Sequence, residues 1–175
     1  TRRSSDLTLE TKAAFNINID GNIVGSTNST STDNAAGGRF YVRGNATVNG
    51  NIGTYSGRLA DIRIEDGGTL TIKGADRNIY ANNITLMTAY GSSGSDNSTL
   101  AFNGTGTTTV YGVIAGGNAM GQGMIDINTG TVSFKSDVGM LSNYISNINV
   151  ASGSNMTTSS NIYANETIVV LGKLN

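Results

Sequence analysis

Short stretches in which apolar and polar residues alternate run through most of the chain. Clear examples are Phe15–Ile19 (FNINI), Thr69–Lys73 (TLTIK) and Met124–Ile127 (MIDI). Alternation with a period of two, in segments rich in Ile, Val and Thr, is typical of strands that bury one face. Gly or Asn separates most of these stretches, and helical periodicity is nearly absent. The pattern therefore predicts an all-β fold built from short strands.

The segment Ile64–Gly74 (IEDGGTLTIKG) has two interpretations. Asp-Gly between alternating runs is a hairpin signal. The spacing of apolar residues favours a different arrangement, because similar stretches recur every 20–22 residues. A period near 20 residues with short strands is typical of a β-solenoid, in which each strand pairs with the coils above and below it. The recurring pairs are Val48 and Leu70, Ile64 and Leu86, Ile79 and Leu100, Ile127 and Ile148, and Ile148 and Ile168.

We therefore expect one β-solenoid domain over residues 1–175, with about eight coils at roughly 21 residues per coil. Residues 1–14 are expected to form an entry or cap segment. Two segments rich in Gly, Ser, Asn and Thr, near 25–38 and 89–98, interrupt the recurrence and are predicted to protrude as loops. The alternative fold is a β-sandwich of true hairpins. It requires turn signals every 8–12 residues, and the chain carries these as well.

The composition fits a folded β-rich chain. Apolar residues make up 37% and charged residues 13%, there is no Pro, and Gly, Asn, Thr and Ser together make up about half of the chain. Disordered segments are usually charged or rich in Pro, which this chain is not. Gly and Asn suit solenoid corners because they adopt positive φ, and stacked Asn side chains can hydrogen-bond from coil to coil.

Several absences narrow the function. The chain has no Cys and no His, so it has no disulfide, no thiolate chemistry, no imidazole base and no common zinc ligand. Its net charge of −1 provides no broad field for nucleic acid. No apolar run approaches the roughly 20 residues of a membrane helix. We therefore expect no cofactor, no metal, no nucleic-acid partner and no direct membrane insertion by this segment.

Four sequence segments resemble those of a known protein family: FNINIDGNIVGS, FYVRGNATVNGNIG, GTLTIKGADRNIYANNITL and GTVSFKSDVG. They resemble the passenger regions of bacterial autotransporter surface proteins, above all the large surface antigens of rickettsia-type bacteria. The resemblance extends from about Phe15 to Leu174. It implies a right-handed parallel β-helix, export to the bacterial cell surface with the export signal not present in this chain, and adhesion to host cells. No motif matches a functional residue of that family, so none is carried over.

Basic and aromatic residues cluster in one part of the sequence. They form a candidate binding surface for a host-cell protein or an acidic glycan, and the alternative is an ordinary solvated outer face. The two predicted loops are further candidates, since loops on rigid scaffolds often carry binding residues. The candidate surface consists of Arg39, Tyr41, Arg43, Tyr55, Arg58 and Arg63.

An enzymatic alternative rests on the acidic residues Asp61, Glu65, Asp66 and Asp76, because polysaccharide-acting enzymes use clustered carboxylates. Alternation predicts that Asp61, Arg63 and Glu65 share one outward face. Ion pairing at the surface is the simpler explanation of that set, so we expect a protein that is not an enzyme.

The last apolar run suggests a structural alternative. Ile168–Leu171 (IVVL) has no polar cap, and the open end of a solenoid exposes unpaired strand edges. Ile168 and Val170 are therefore candidates for end-to-end contact between copies of the chain, as in a self-assembling surface layer or filament.

Overall fold

The computed structural model describes residues 6–10, 16–25, 37–87, 97–117 and 121–174. Within these ranges the chain is all β, without a helix, and every ladder between strands is parallel. The strands are β1 (Asp6–Glu10), β2 (Asn16–Ile19), β3 (Arg39–Val48), β4 (Leu59–Ile72), β5 (Asn78–Ile79), β6 (Ala81–Leu86), β7 (Thr99–Phe102), β8 (Thr107–Val110), β9 (Val113–Gly116), β10 (Met124–Ile127), β11 (Thr131–Phe134), β12 (Ile145–Val150), β13 (Asn155–Thr158), β14 (Ala164–Val170) and β15 (Lys173–Leu174).

These strands form two sheets. The larger sheet is curled and has ten strands, with the order β1-β3-β4-β7-β10-β12-β14, β2 beside β3, and β6 between β4 and β9. The smaller sheet has five strands in the order β15-β13-β11-β8-β5. Strands that are adjacent in a sheet lie far apart along the chain. The antiparallel ladders on which a sandwich of hairpins depends do not occur in the described part of the chain.

Parallel pairing places the inward side chains in three rows, and we call one passage of the chain through the rows a level. Row 1 contains Ile19, Val48, Ile72, Phe102, Ile127, Val150 and Val170, together with the residues two positions earlier, Ile17, Ala46, Leu70, Leu100, Ile125, Ile148 and Ile168. Row 2 contains Ile23, Ile52, Ile79, Val110 and Phe134. Row 3 contains Phe40, Ile62, Ile84, Ile114, Val138 and Ile162. Row 1 thus has seven strands, one for each level, in the described residues, where the spacing predicts about eight coils.

The segment Ile64–Gly74 is not a hairpin. Ile64 pairs with Val42 and Leu86, and Leu70 pairs with Ala46 and Leu100, so the two halves of the segment do not pair with each other. Both halves belong to the single strand β4, which bends at Asp-Gly-Gly as it passes from row 3 to row 1. Gly67 has φ of 72°, which an L side chain rarely adopts.

The predicted spacing is right for two pairs and wrong for three. Ile64 pairs with Leu86 and Ile148 pairs with Ile168, as predicted. Val48 pairs instead with Ile72, Ile79 with Val110, and Ile127 with Val150. The levels differ in length because all three corners vary from level to level. Between Ile79 and Val110, for example, the longest passage is the one from Ile84 in row 3 to Leu100 in row 1. A constant period of 20–22 residues therefore misplaces the register.

One apolar core runs through all three rows. The large side chains at its centre are almost fully buried, and Phe102 meets Phe134 edge to face with 6.1 Å between ring centroids. Part of the predicted entry segment forms β1, which pairs in parallel with β3. The rest of that segment, and most of the two predicted loops (residues 26–36 and 89–96), lie outside the described residues.

Candidate binding surface

The six residues predicted to form a binding surface fall into two separate groups. Arg39, Tyr41, Arg43 and Arg63 lie on β3 and β4, on the outer side of row 3. We call them, with Asp61 and Glu65, the row-3 patch. Tyr55 and Arg58 lie between row 2 and row 3 and join a different set of side chains, described below.

Two arginines of the row-3 patch, Arg43 and Arg63, are paired with carboxylates of the same patch. Arg63 Nε donates to Asp61 Oδ2 at 2.5 Å, and Arg43 Nε donates to Glu65 Oε2 at 2.8 Å. Thr85 also donates to Asp61, which is only 7% exposed. The hydrogen bond from Arg63 to Asp61 raises the pKa of Arg63, so this arginine stays cationic. An anionic ligand must therefore compete with carboxylates that these arginines already hold.

Tyr41 belongs to the same patch through Arg63. The two residues are paired across β3 and β4, and the Arg63 guanidinium lies 5.6 Å from the centroid of the Tyr41 ring. A cation over an aromatic face at this distance is a favourable contact. Arg63 is thus held both by Asp61 and by Tyr41, which makes the centre of the patch a self-contained structural unit.

The acidic cluster of the enzymatic alternative is only partly brought together. Asp61 and Glu65 share the outer face of β4, as alternation predicts, but each holds an arginine. Asp76 lies in the corner after row 1, where its Oδ1 accepts a hydrogen bond from the Thr107 backbone N–H at 3.0 Å. The side chain of Asp66 lies outside the described residues. In the described part of the chain, no group of three or more acidic side chains is placed to hold a metal ion.

Tyr55 and Arg58 belong to a cluster of stacked tyrosines, which we call the tyrosine corner. Tyr80 and Tyr111 are parallel, with centroids 4.4 Å apart and an interplanar angle of 4°. Tyr55 meets Tyr80 edge to face at 6.4 Å, and the Arg58 guanidinium lies 5.8 Å from the Tyr80 centroid. Arg58 Nη1 also donates to the Tyr111 carbonyl at 2.8 Å. The corner therefore connects three successive levels.

The register of row 2 explains this stack. Tyr80 and Tyr111 directly follow Ile79 and Val110, which pair with each other. The two rings therefore leave the same corner on neighbouring levels. Sequence reasoning selected Tyr55 and Arg58 but missed Tyr80 and Tyr111, because the predicted spacing placed Ile79 opposite Leu100. The sequence does contain a signal for this stack, because Ile79-Tyr80 and Val110-Tyr111 both consist of a β-branched residue followed by Tyr.

Exposure differs sharply within the tyrosine corner. Tyr55 is 79% exposed, whereas Tyr80 and Tyr111 are partly covered. Burial raises the pKa of Tyr80, and the neighbouring Tyr111 hydroxyl raises it further, so its phenol stays protonated at neutral pH. A neutral tyrosine offers an apolar ring face and a polar hydroxyl. Tyr55 presents most of its ring to solvent and contacts Tyr80 edge to face.

A second surface feature lies on the outer side of row 1. Asn16, Asn45, Thr47, Thr69 and Thr71 line a shallow, open depression of about 290 Å³. Asn16 Nδ2 donates to Thr47 Oγ1 at 2.9 Å, across neighbouring strands. All five lining side chains are uncharged hydrogen-bonding groups. This surface provides donors and acceptors without a charge preference.

No family model matches the chain, and neither a curated protein nor a solved structure matches it. Among the segments that the structure describes, there is no helix long and apolar enough to cross a membrane.

Proposed function

We propose that the chain is a right-handed parallel β-helix. Three observations support this architecture: parallel ladders between segments that are distant in sequence, three rows of inward apolar side chains, and corner glycines with positive φ such as Gly53 and Gly139. Successive levels then form a rod with one continuous apolar core. The right hand is the one that the resemblance to autotransporter passengers implies.

We further propose that this rod is a non-enzymatic extracellular protein of the bacterial cell surface that works as an adhesin, similar to an autotransporter passenger. Its ligand is a glycan or a receptor on a host cell. The outer faces fit this role because they carry polar but mostly uncharged groups, as in the Asn/Thr depression of row 1. Such groups match the hydroxyl-rich surface of a glycan.

The tyrosine corner is the observation that carries the proposal. In the row-3 patch Arg43 and Arg63 are held in ion pairs, whereas Tyr55 is mostly exposed and rests against Tyr80. A ring that is already positioned loses little conformational freedom when a ligand binds. Its flat face suits the C–H face of a sugar, and its hydroxyl, with the Arg58 side chain nearby, suits the polar substituents.

The proposal is tested by measuring binding of the purified chain to host cells and to a glycan array. Tyr55→Ala removes the exposed ring and should weaken binding at least about 10-fold, as expected when a central aromatic contact is truncated. Tyr41→Ala is the matched control, because it removes a tyrosine from the row-3 patch, and should bind like the unmodified chain. Circular dichroism checks that both variants fold.

Two results would argue against the tyrosine corner. If Tyr55→Ala binds as well as the unmodified chain, the Tyr55 ring does not contact the ligand. Loss of binding in Tyr41→Ala alone would move the site to the row-3 patch, and the paired arginines would then have to exchange partners when the ligand binds.

A further inference from the structure

Row 1 ends in a strand edge at both ends of the described stack of levels. β2 pairs with β3, and within the described residues it has no second neighbour. At the opposite end β14 pairs with β12 and likewise has no second neighbour among the described residues. Both strands occupy the same row, so the described stack presents the first strand of row 1 at one end and the last strand of row 1 at the other.

The apolar side chains of row 1 are incompletely covered at both ends. Ile168 on β14 is 41% exposed, and Val170 is only partly buried. At the other end Ile17 and Ile19 on β2 are also only partly buried. Alternation directs all four side chains towards the core. A further strand with apolar residues at the same two positions would therefore complete the burial of each end.

The backbone groups of the C-terminal strand alternate in direction. The Leu171 N–H donates to the Val150 carbonyl at 2.9 Å, so the backbone of Leu171 is directed towards β12. Successive residues of a parallel strand direct their N–H and C=O groups to opposite sides. The backbone groups of Ile168 and Val170 are therefore directed away from β12, along the direction in which the levels stack.

At the N-terminal end the pattern is complementary. The Asn49 N–H donates to the Ile19 carbonyl at 2.8 Å, so Ile19 is directed towards β3. The backbone groups of Asn16 and Asn18 are consequently directed away from β3. In a parallel ladder, a residue on one strand bonds the two residues that flank its partner. Val170 opposite Ile19 would thus find the backbone of Asn18 on one side and of Asp20 on the other.

We propose that two copies of this chain join head to tail, with β14 of one copy pairing in parallel with β2 of the next. Ile168 lies opposite the partner's Ile17, and Val170 lies opposite the partner's Ile19. The joint repeats the register that links β12 to β14 inside one chain, and it continues row 1 without a break. Outward side chains at the joint include Asn16, Asn18 and Val169, which bring no like charges together.

A second copy fits this edge because both halves of the contact are present on one molecule and match in row, register and alternation. The contact is heterologous, so each copy that joins leaves one free end. Such a contact produces an open filament. This inference goes beyond adhesion and does not depend on the tyrosine corner, so Tyr55→Ala should assemble like the unmodified chain.

The first test is light scattering and electron microscopy of the purified chain at rising concentration. The unmodified chain should form linear assemblies, and a strict monomer at every concentration would overturn the proposal. Val170→Lys places a charge on the inward row at the free end and should abolish assembly. Val169→Lys is the matched control, because it places the same charge on the outer face of the same strand and should still assemble. Loss of assembly in both variants would contradict the register.

A mixing experiment tests the polarity of the joint. Ile19→Lys blocks the N-terminal end and Val170→Lys blocks the C-terminal end, so each variant alone should be monomeric, and circular dichroism checks that each is folded. An equimolar mixture should form a dimer, because the free C-terminal end of the first variant meets the free N-terminal end of the second. Dimers of Ile19→Lys alone would indicate a tail-to-tail contact and overturn the proposal, as would an equimolar mixture of folded variants that stays monomeric.

Discussion

Two strands of the same row, β12 and β14, carry the same inward residues and differ in what lies beyond them. Ile148 and Val150 on β12 are 0% and 1% exposed. Ile168 and Val170 occupy the same positions on β14, yet Ile168 is 41% exposed. The residue types are identical, so the difference comes from the number of neighbouring strands. In a stacked fold, alternation determines which side chains are directed inward, and adjacent levels determine whether they are buried.

The largest expected effect is a truncation in the middle of row 1. Ile148→Ala should lower the free energy of unfolding by about 2–5 kcal/mol, because it leaves a cavity that the levels above and below keep open. Ile168→Ala should cost under about 2 kcal/mol, because part of this side chain is already in water. Urea unfolding at a concentration where the chain is monomeric measures both. Equal losses would mean that the end strand is buried as well as the inner one.

A smaller effect is expected at a corner that has one glycine on each of two levels. A Cβ on Gly50 would lie 2.2 Å from the Gly21 carbonyl oxygen, whereas a Cβ on Gly21 would have no atom within 4 Å. Gly50→Ala should therefore destabilise the fold by about 1–3 kcal/mol, since backbone must move apart. Gly21→Ala, which lies on the end level, should stay within about 0.5 kcal/mol. Thermal unfolding of the two variants compares them directly, and a tolerated Gly50→Ala would contradict the close stacking of these levels.

The smallest effect concerns the hydrogen bonds that Asp137 accepts from the neighbouring level. Asp137 accepts hydrogen bonds from the Ser160 hydroxyl and from the Asn161 backbone N–H, the latter at 3.0 Å. These bonds lower the pKa of Asp137, with the Ser160 hydroxyl as the main cause. A carboxyl whose pKa is lower in the folded state stabilises the fold above its unfolded value of about 3.9, and this contribution is lost as pH falls through the folded pKa.

Ser160→Ala tests this link without changing the charge of the carboxylate. Removing the main donor should move the pKa of Asp137 back towards its ordinary value, which NMR titration of the carboxyl detects. The variant should also lose less stability than the unmodified chain between pH 4 and the acid limit of folding. An unchanged titration would show that Ser160 does not hold this carboxylate.

The candidate binding surface shows how far local sequence reasoning extends. Alternation correctly placed Arg63 with Asp61 and Glu65 on one outward face, because side-chain direction along a strand follows from the backbone alone. It grouped Tyr55 with Tyr41 because they are close in sequence, although they belong to different rows. The aromatic partner of Tyr55 is Tyr80, 25 residues away, and only the pairing of Ile52 with Ile79 brings the two levels together.

By itself, the sequence determined the all-β character, the inward and outward sides of most strands and the use of glycine at corners, since each depends on the local backbone. Only the tertiary structure decided that Val48 lies beside Ile72 and that Ile79 lies beside Val110. The physical reason is that register depends on the length of every corner between two passages of the chain. Those lengths vary from level to level. The register is set by hydrogen bonds between residues of different levels, which are far apart in the sequence.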